Sequence, residues 1–197
     1  MRFRRLRARE LPAGTVDLAK ALLGCVLVRD CPDGRAAGRI VETEAYVIGD
    51  PASHAYRGKS GRNASMFLAA HHAYVYKIYG TSWCVNVTSE SKDEGAAVLI
   101  RALEPLEGLS LMEARRRTTR VLDLCRGPGR LCQALAIDRD LDGVDLLRSG
   151  DLWLAAPAAR PAIGTSRRIG ITKAFTRRLR FYERGNTFVS GPKRLSS

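Results

Sequence analysis

The chain has 197 residues, 45% of them hydrophobic and 27% charged, which suffices for one full core and excludes a disordered or low-complexity protein. Its 33 Lys and Arg against 20 Asp and Glu give a net charge of +13. Arginine carries most of it, in clusters at Arg2–Arg9, Arg115–Arg120, Arg167–Arg168 and Arg177–Arg184, so a polyanionic partner is expected, nucleic acid before a membrane surface. No run of about 18 apolar residues is present to cross a bilayer. The basic start lacks the apolar region of a secretory signal. The five cysteines show neither a CxxC pair nor a Cys/His zinc spacing, which argues against a disulfide scaffold and structural zinc. The expectation is an intracellular protein, not secreted and not membrane-bound.

In chain order, Thr15 is placed to cap a helix that runs through VDLAKALLG to a stop at Gly24. Cys25–Arg29 reads as a strand, CPDGR as a turn and 36–48 as the returning strand of a hairpin. Within it, Ile40–Ile48 is β-branched and aromatic with no Gly or Pro. Alternation puts Ile40, Glu42, Glu44, Tyr46 and Ile48 on one face and Val41, Thr43, Ala45 and Val47 on the other. Two carboxylates and a tyrosine thus stand in a row opposite a largely apolar face. The Gly49-Asp50-Pro51 turn then brings His54 near the strand end. A loop over 49–61 follows, and its GKSGRN lacks the spacing of a phosphate-binding P-loop.

Tyr74–Tyr79 predicts a second strand, and Gly80-Thr81 a two-residue turn into a third over Ser82–Thr88. Tyr74, Tyr76 and Ile78 share a face; Tyr79 sits at the loop tip, where an aromatic in a basic protein suggests a stacking platform or a wedge between bases. Ala96–Ala102 is a mostly buried strand whose Arg101 needs an anionic or solvent partner. Glu107–Arg120 reads as a helix. Gly127-Pro128 opens a short helix, with Arg126 and Arg130 forming a possible phosphate seat. Strand-like pieces at 151–154, 168–172 and 179–184 close the chain. The fold expected is α+β: a single domain over 1–197 with a mixed or antiparallel sheet of hairpins surrounded by helices, a basic N-terminal segment at 1–14 and a basic tail at 191–197.

The residues alone leave three readings open. Glu44 beside aromatic rings, a tip tyrosine and a basic surface describe an enzyme acting on a base taken out of duplex DNA, with a carboxylate activating water. Glu42, Glu44, Asp50 and His54 could instead hold Mg²⁺ in a nuclease. The acids could also be structural in a non-catalytic nucleic-acid-binding module.

The segments LAKALLGCVLVR, GRIVETEAY, SHAYRG with RN and MF, YVYKIYG with CVNV, AVLIRALEP, GPGRLCQALAI, and RIGI with LRFYERGNTFVS resemble the alkyladenine (3-methyladenine) DNA glycosylase family, in the family's order from about Leu18 to Ser190. The resemblance implies a monofunctional glycosylase, without cofactor or metal, that acts as a monomer on double-stranded DNA containing damaged purines. It implies Glu44 as water-activating base and Arg101 beside the water and phosphate. Tyr46, His54 and Tyr76 become the walls of the flipped-base pocket, Asn86 a screen against a 2-amino group, and Tyr79 the intercalating residue. Glu42 is expected in a structural ion pair. Arg178 and Thr187 stand where relatives often have proline, and the 49–64 loop differs from the animal forms.

Overall fold

The computed structural model describes residues 1–78 and 80–192. Its strands are β1 (Val26–Cys31), β2 (Gly34–Tyr46), β3 (Ala73–Ile78), β4 (Ser82–Thr88), β5 (Ala97–Glu107), β6 (Leu152–Ala155), β7 (Ile163–Ser166) and β8 (Arg180–Glu183). Every pairing among them is antiparallel, in the order β3-β4-β5-β2-β1-β6, with β8 joining β2 to β7. The helices are α1 (Thr15–Ala21), α2 (Leu109–Arg116) and α3 (Pro128–Ala134). The α+β class is as expected, and the sheet is antiparallel throughout. No helix among the described residues is long and apolar enough to cross a membrane.

The 13-residue β2 is the spine of the sheet. One edge pairs with β1 through Arg39 and then with β8 at Glu42–Glu44, while the other edge pairs with β5. Alternation divides the sheet residues between two faces. Val75, Val85, Val87, Val98 and Ile100 point into the main core with Leu18, Leu22 and Leu131 from α1, the turn after it and α3, each such side chain contributing about 1.5–3 kcal/mol. Tyr74, Tyr76, Cys84, Asn86, Leu99 and Arg101, their alternates, line a cavity on the opposite face. Period 2 therefore separates the half of the sheet that stabilises from the half that presents chemistry.

Several local details differ from the sequence reading. Gly14, not Thr15, caps α1; the Thr15 N–H and hydroxyl both reach the Glu90 carboxylate, at 2.7 and 2.6 Å, which places an anion at the helix N-terminus. Ile78 lies opposite Ser82 at the end of the described part of β3; Tyr79, expected as the last residue of that strand, lies outside the described residues. Residues 168–172 are not a strand; β7 lies earlier, at Ile163–Ser166. β2 ends at Tyr46, leaving Ile48 exposed beyond it. Ile40 does not share the carboxylate face: the β2–β5 register skips Val41, a bulge that turns Ile40 into the core with Ala45 and packs Val41 against Ala102 and Tyr182.

Candidate active site

The site is built on one register row. Tyr74 of β3 faces Asn86 of β4, Asn86 faces Leu99 of β5, and Leu99 faces Glu44 of β2. Directly opposed residues share a face, so the row lays an aromatic ring, an amide and a carboxylate side by side beneath a cavity of about 950 Å³. Tyr46, His54, Tyr76, Asn86 and Arg101 all stand on its wall. Five of the residues expected at the site are thus brought together. Glu44 lies one layer behind them, fully buried. Tyr79 lies outside the described residues.

Glu44 is held from three sides. Its Oε1 accepts the Ile169 N–H at 2.7 Å and lies 3.3 Å from an Arg101 guanidinium nitrogen. Its Oε2 accepts the Tyr46 hydroxyl at 2.9 Å. Burial pushes the Glu44 carboxyl above its ordinary range; Arg101, the Ile169 N–H and the Tyr46 hydroxyl pull the other way, and the Glu42 charge adds to the upward push. Burial, together with the Glu44 charge, likewise raises Tyr46, which stays a neutral phenol and hydrogen-bond donor.

Arg101 spans two carboxylates: its Nε donates to Glu42 Oε1 at 3.0 Å, while NH1 lies beside Glu44. Burial works against the Arg101 charge, and Glu44 and Glu42 more than offset that cost. Glu42 also accepts from Arg180 Nε and the Ser190 N–H, both at 2.6 Å, so it sits in the structural ion pair expected of it.

The aromatic wall is coupled. Tyr74 and Tyr76 stack with centroids 5.3 Å apart, and His54 meets Tyr76 edge-on at 4.5 Å. His54 Nδ1 shares a 2.7 Å hydrogen bond with the Tyr74 hydroxyl, which leaves Nε2 for a ligand. Burial, and then the Arg62 charge, depress its basicity, so the imidazole is neutral near pH 7. Asn86 donates through Nδ2 to the Tyr74 carbonyl at 3.0 Å. At the rim, Arg57, Arg62, Lys77 and Lys173 are exposed. Among the described residues none of the four lies within ion-pair distance of a carboxylate.

The carboxylates proposed from sequence as metal ligands do not converge. Glu42 is taken up by Arg101 and Arg180, Asp50 is clamped by Arg168, and no group of three His, Cys, Asp or Glu suited to a metal occurs among the described residues. Nor do Arg126 and Arg130 form a free phosphate seat: Arg126 donates to the Val189 carbonyl and Arg130 pairs with Asp123. Sequence reasoning missed Tyr74, whose i,i+2 spacing from Tyr76 was the available signal. It also missed the Ile169 N–H, which no side-chain pattern can announce.

A family model for methylpurine-DNA glycosylase matches residues 10–187. A protein of Mesorhizobium japonicum is 57% identical over 187 residues, covering 94% of this chain and 90% of the relative. One of Paraburkholderia phytofirmans is 48% identical, with 94% and 88% covered. One of Methanoculleus marisnigri is 52% identical, with 89% and 93% covered. All three are provisionally named 3-methyladenine DNA glycosylase. The chain therefore belongs to the methylpurine-DNA glycosylase family, enzymes that hydrolyse the N-glycosyl bond of alkylated bases in DNA.

Proposed function

We propose that this glycosylase flips a damaged purine into the 950 Å³ cavity and releases it with a water activated by Glu44. The observation that carries the reading is a buried carboxylate, bonded to the cavity-lining Tyr46 and Ile169, set directly behind an aromatic-walled cavity with a cationic rim. A stacked base cannot reach such a group, whereas an extruded one can lie between Tyr46, His54 and Tyr76. Arg57, Arg62, Lys77 and Lys173 are placed to take the phosphates of a bound duplex. Tyr79, which follows β3 in sequence, is assigned the role of entering the stack left behind, on the family resemblance alone.

In the reaction, the water oxygen bonds to the sugar C1′ as the N-glycosidic bond breaks. The bonding pair leaves with the base, and a water proton passes to Glu44. The ionised carboxylate also stabilises the cationic sugar in the transition state. Glu44 has no exposed surface, so its action as a base requires the Tyr46 hydroxyl and the 169–170 turn to part enough to admit one water when DNA binds. Lys77 and Lys173 are exposed at the rim, remote in character from a desolvated amine nucleophile, which supports water as the attacking group. Asn86, on the wall beside Tyr74, is placed to crowd a purine 2-amino group.

The test is incubation of alkylated duplex DNA with the protein in EDTA, followed by hot alkali. Strand breaks that appear only after alkali, and persist with EDTA, are expected. Breaks before alkali would indicate lyase or nuclease chemistry, and no breaks at all would refute the reading.

A further inference from the structure

Asp50 and Arg168 are the other buried ion pair at the site, and the reaction described above uses neither. Both side chains are fully buried, and neither lines the cavity. Arg168 NH1 donates to Asp50 Oδ2 at 2.5 Å and to the Ala45 carbonyl at 2.9 Å, and NH2 donates to Asp50 Oδ1 at 3.1 Å. The guanidinium carbon lies 4.6 Å from the Tyr46 ring centroid. Tyr46 lines the cavity and Arg168 does not, so the guanidinium packs on this ring from outside the cavity lining.

This pair joins three pieces of the site. Arg168 immediately precedes Ile169, whose N–H holds Glu44 and whose carbonyl lies 3.5 Å from an Arg101 guanidinium nitrogen. The Ala45 carbonyl anchors the end of β2 between Glu44 and Tyr46. Asp50 Oδ1 accepts the Ala52 N–H at 3.0 Å and its carbonyl the Ser53 N–H at 2.9 Å, shaping the loop that delivers His54. Among the described residues Arg168 Nε has no hydrogen-bond partner, and a buried unpaired donor costs free energy. Such a cost is expected where position, not stability, is selected.

We propose that Asp50 and Arg168 are positioning residues that fix the Tyr46 wall and the Ile169 turn around Glu44, and that their mutual neutralisation lets the Tyr46 face accept a cationic base. A purine stacked on Tyr46 shares that ring with the guanidinium. Unbalanced, that charge would repel an N-methylated cationic purine but not a neutral one such as hypoxanthine.

The inference rests on the glycosylase mechanism above, and the experiment separates the two. Single-turnover release of 3-methyladenine and of hypoxanthine is measured for wild type, Asp50→Asn, Arg168→Met and Arg168→Lys, at a temperature where circular dichroism shows each folded. Asp50→Asn should lower the 3-methyladenine to hypoxanthine rate ratio by about tenfold, and Arg168→Met should raise it, because the uncompensated charge has opposite sign. Arg168→Lys keeps the charge balance but loses the bidentate fork; it should slow both reactions and leave the ratio at the wild-type value. Equal losses on both bases in Asp50→Asn and Arg168→Met would overturn the proposal. If those two variants do not fold, Arg168→Lys decides alone: a shifted ratio or an unchanged rate overturns it. A wild type that releases neither base would instead refute the glycosylase mechanism, and the inference with it.

Discussion

Replacing Glu44 with Gln separates base from scaffold, and the structure fixes what should follow. Each carboxylate contact has a counterpart in the amide. The Gln oxygen can accept the Ile169 N–H, and its nitrogen can donate to the Tyr46 oxygen, which accepts as readily as it donates. Arg101 keeps Glu42. What disappears is the negative charge. Loss of a general base removes about 10²–10⁴-fold of rate, about 3–5 kcal/mol of transition-state stabilisation, with a further loss from the missing anion beside the sugar cation. Stability should move the other way. The folded-state pKa of Glu44 is raised, so the stability this group contributes is fully present below its unfolded pKa of about 4.3 and is lost as pH rises through the folded value. Above that value the wild type carries a buried charge that the variant lacks. The variant should therefore melt no lower than wild type at pH 7.5, and its relative advantage should shrink at pH 4.5. Single-turnover excision, lesion-duplex binding and thermal melts at both pH values check all three points. Excision near the wild-type rate, or a melt lowered by several kcal/mol, would refute the reasoning.

On a cationic base such as 3-methyladenine, wild-type rates should rise with pH through a midpoint above the ordinary carboxylate range, because burial raises Glu44; hypoxanthine, which must be protonated to leave, should give a bell-shaped profile in the same single-turnover series. Log affinity for duplex DNA should fall linearly with log salt as rim cations release counterions, and a flat titration would remove the phosphate contacts. Asn86→Ser gives up the Tyr74 carbonyl bond and should admit guanine-type bases more readily; unchanged discrimination between hypoxanthine and guanine analogues would end its role as a screen. Glu42→Gln strips the partner from Arg101 and Arg180. It should destabilise by about 3–5 kcal/mol, lower excision less than Glu44→Gln does, and move the rising limb of the pH profile downward.

The placement of Tyr76 was legible because strand alternation is strict where the ladder is regular, as it is across β3 and β4, and that of Glu44 and Tyr46 because β2 is regular from Thr43 onward; Asn86 came from the family resemblance alone. Ile40 was misplaced because a bulge has no composition of its own: nothing in RIVETEAY marks Val41 as the extra residue. The 168–172 stretch looked like a strand by its β-branched residues. It folds as a loop because Arg168 is drawn to Asp50, 118 positions away in the chain, and the Ile169 N–H to Glu44. Asp50 looked like a metal ligand for the same reason: a carboxylate near two others in sequence shows its charge but not the distant cation that claims it.

The bulge also explains how one arginine comes to serve both carboxylates. The β2–β5 register skips Val41 on one strand and Arg101 on the other, so Glu42 lies opposite Ala102 and Thr43 opposite Ile100. An unbroken ladder continuing the Thr43 register would set Arg101 directly opposite Glu42, a closed pair. Out of the ladder, Arg101 instead reaches Glu42 through Nε and Glu44 through NH1. One cation is then divided between two anions, and Glu42 is further secured by Arg180. Burial outweighs the share of Arg101 that remains for Glu44, and the Glu42 charge adds to it. The bulge thus gives Glu44 a share of Arg101 that a closed Arg101–Glu42 pair would withhold, and burial still holds its carboxyl above the ordinary range. Neutralising Glu42 restores the whole of Arg101 to Glu44, which is why the pH profile of Glu42→Gln should move down and not merely shrink.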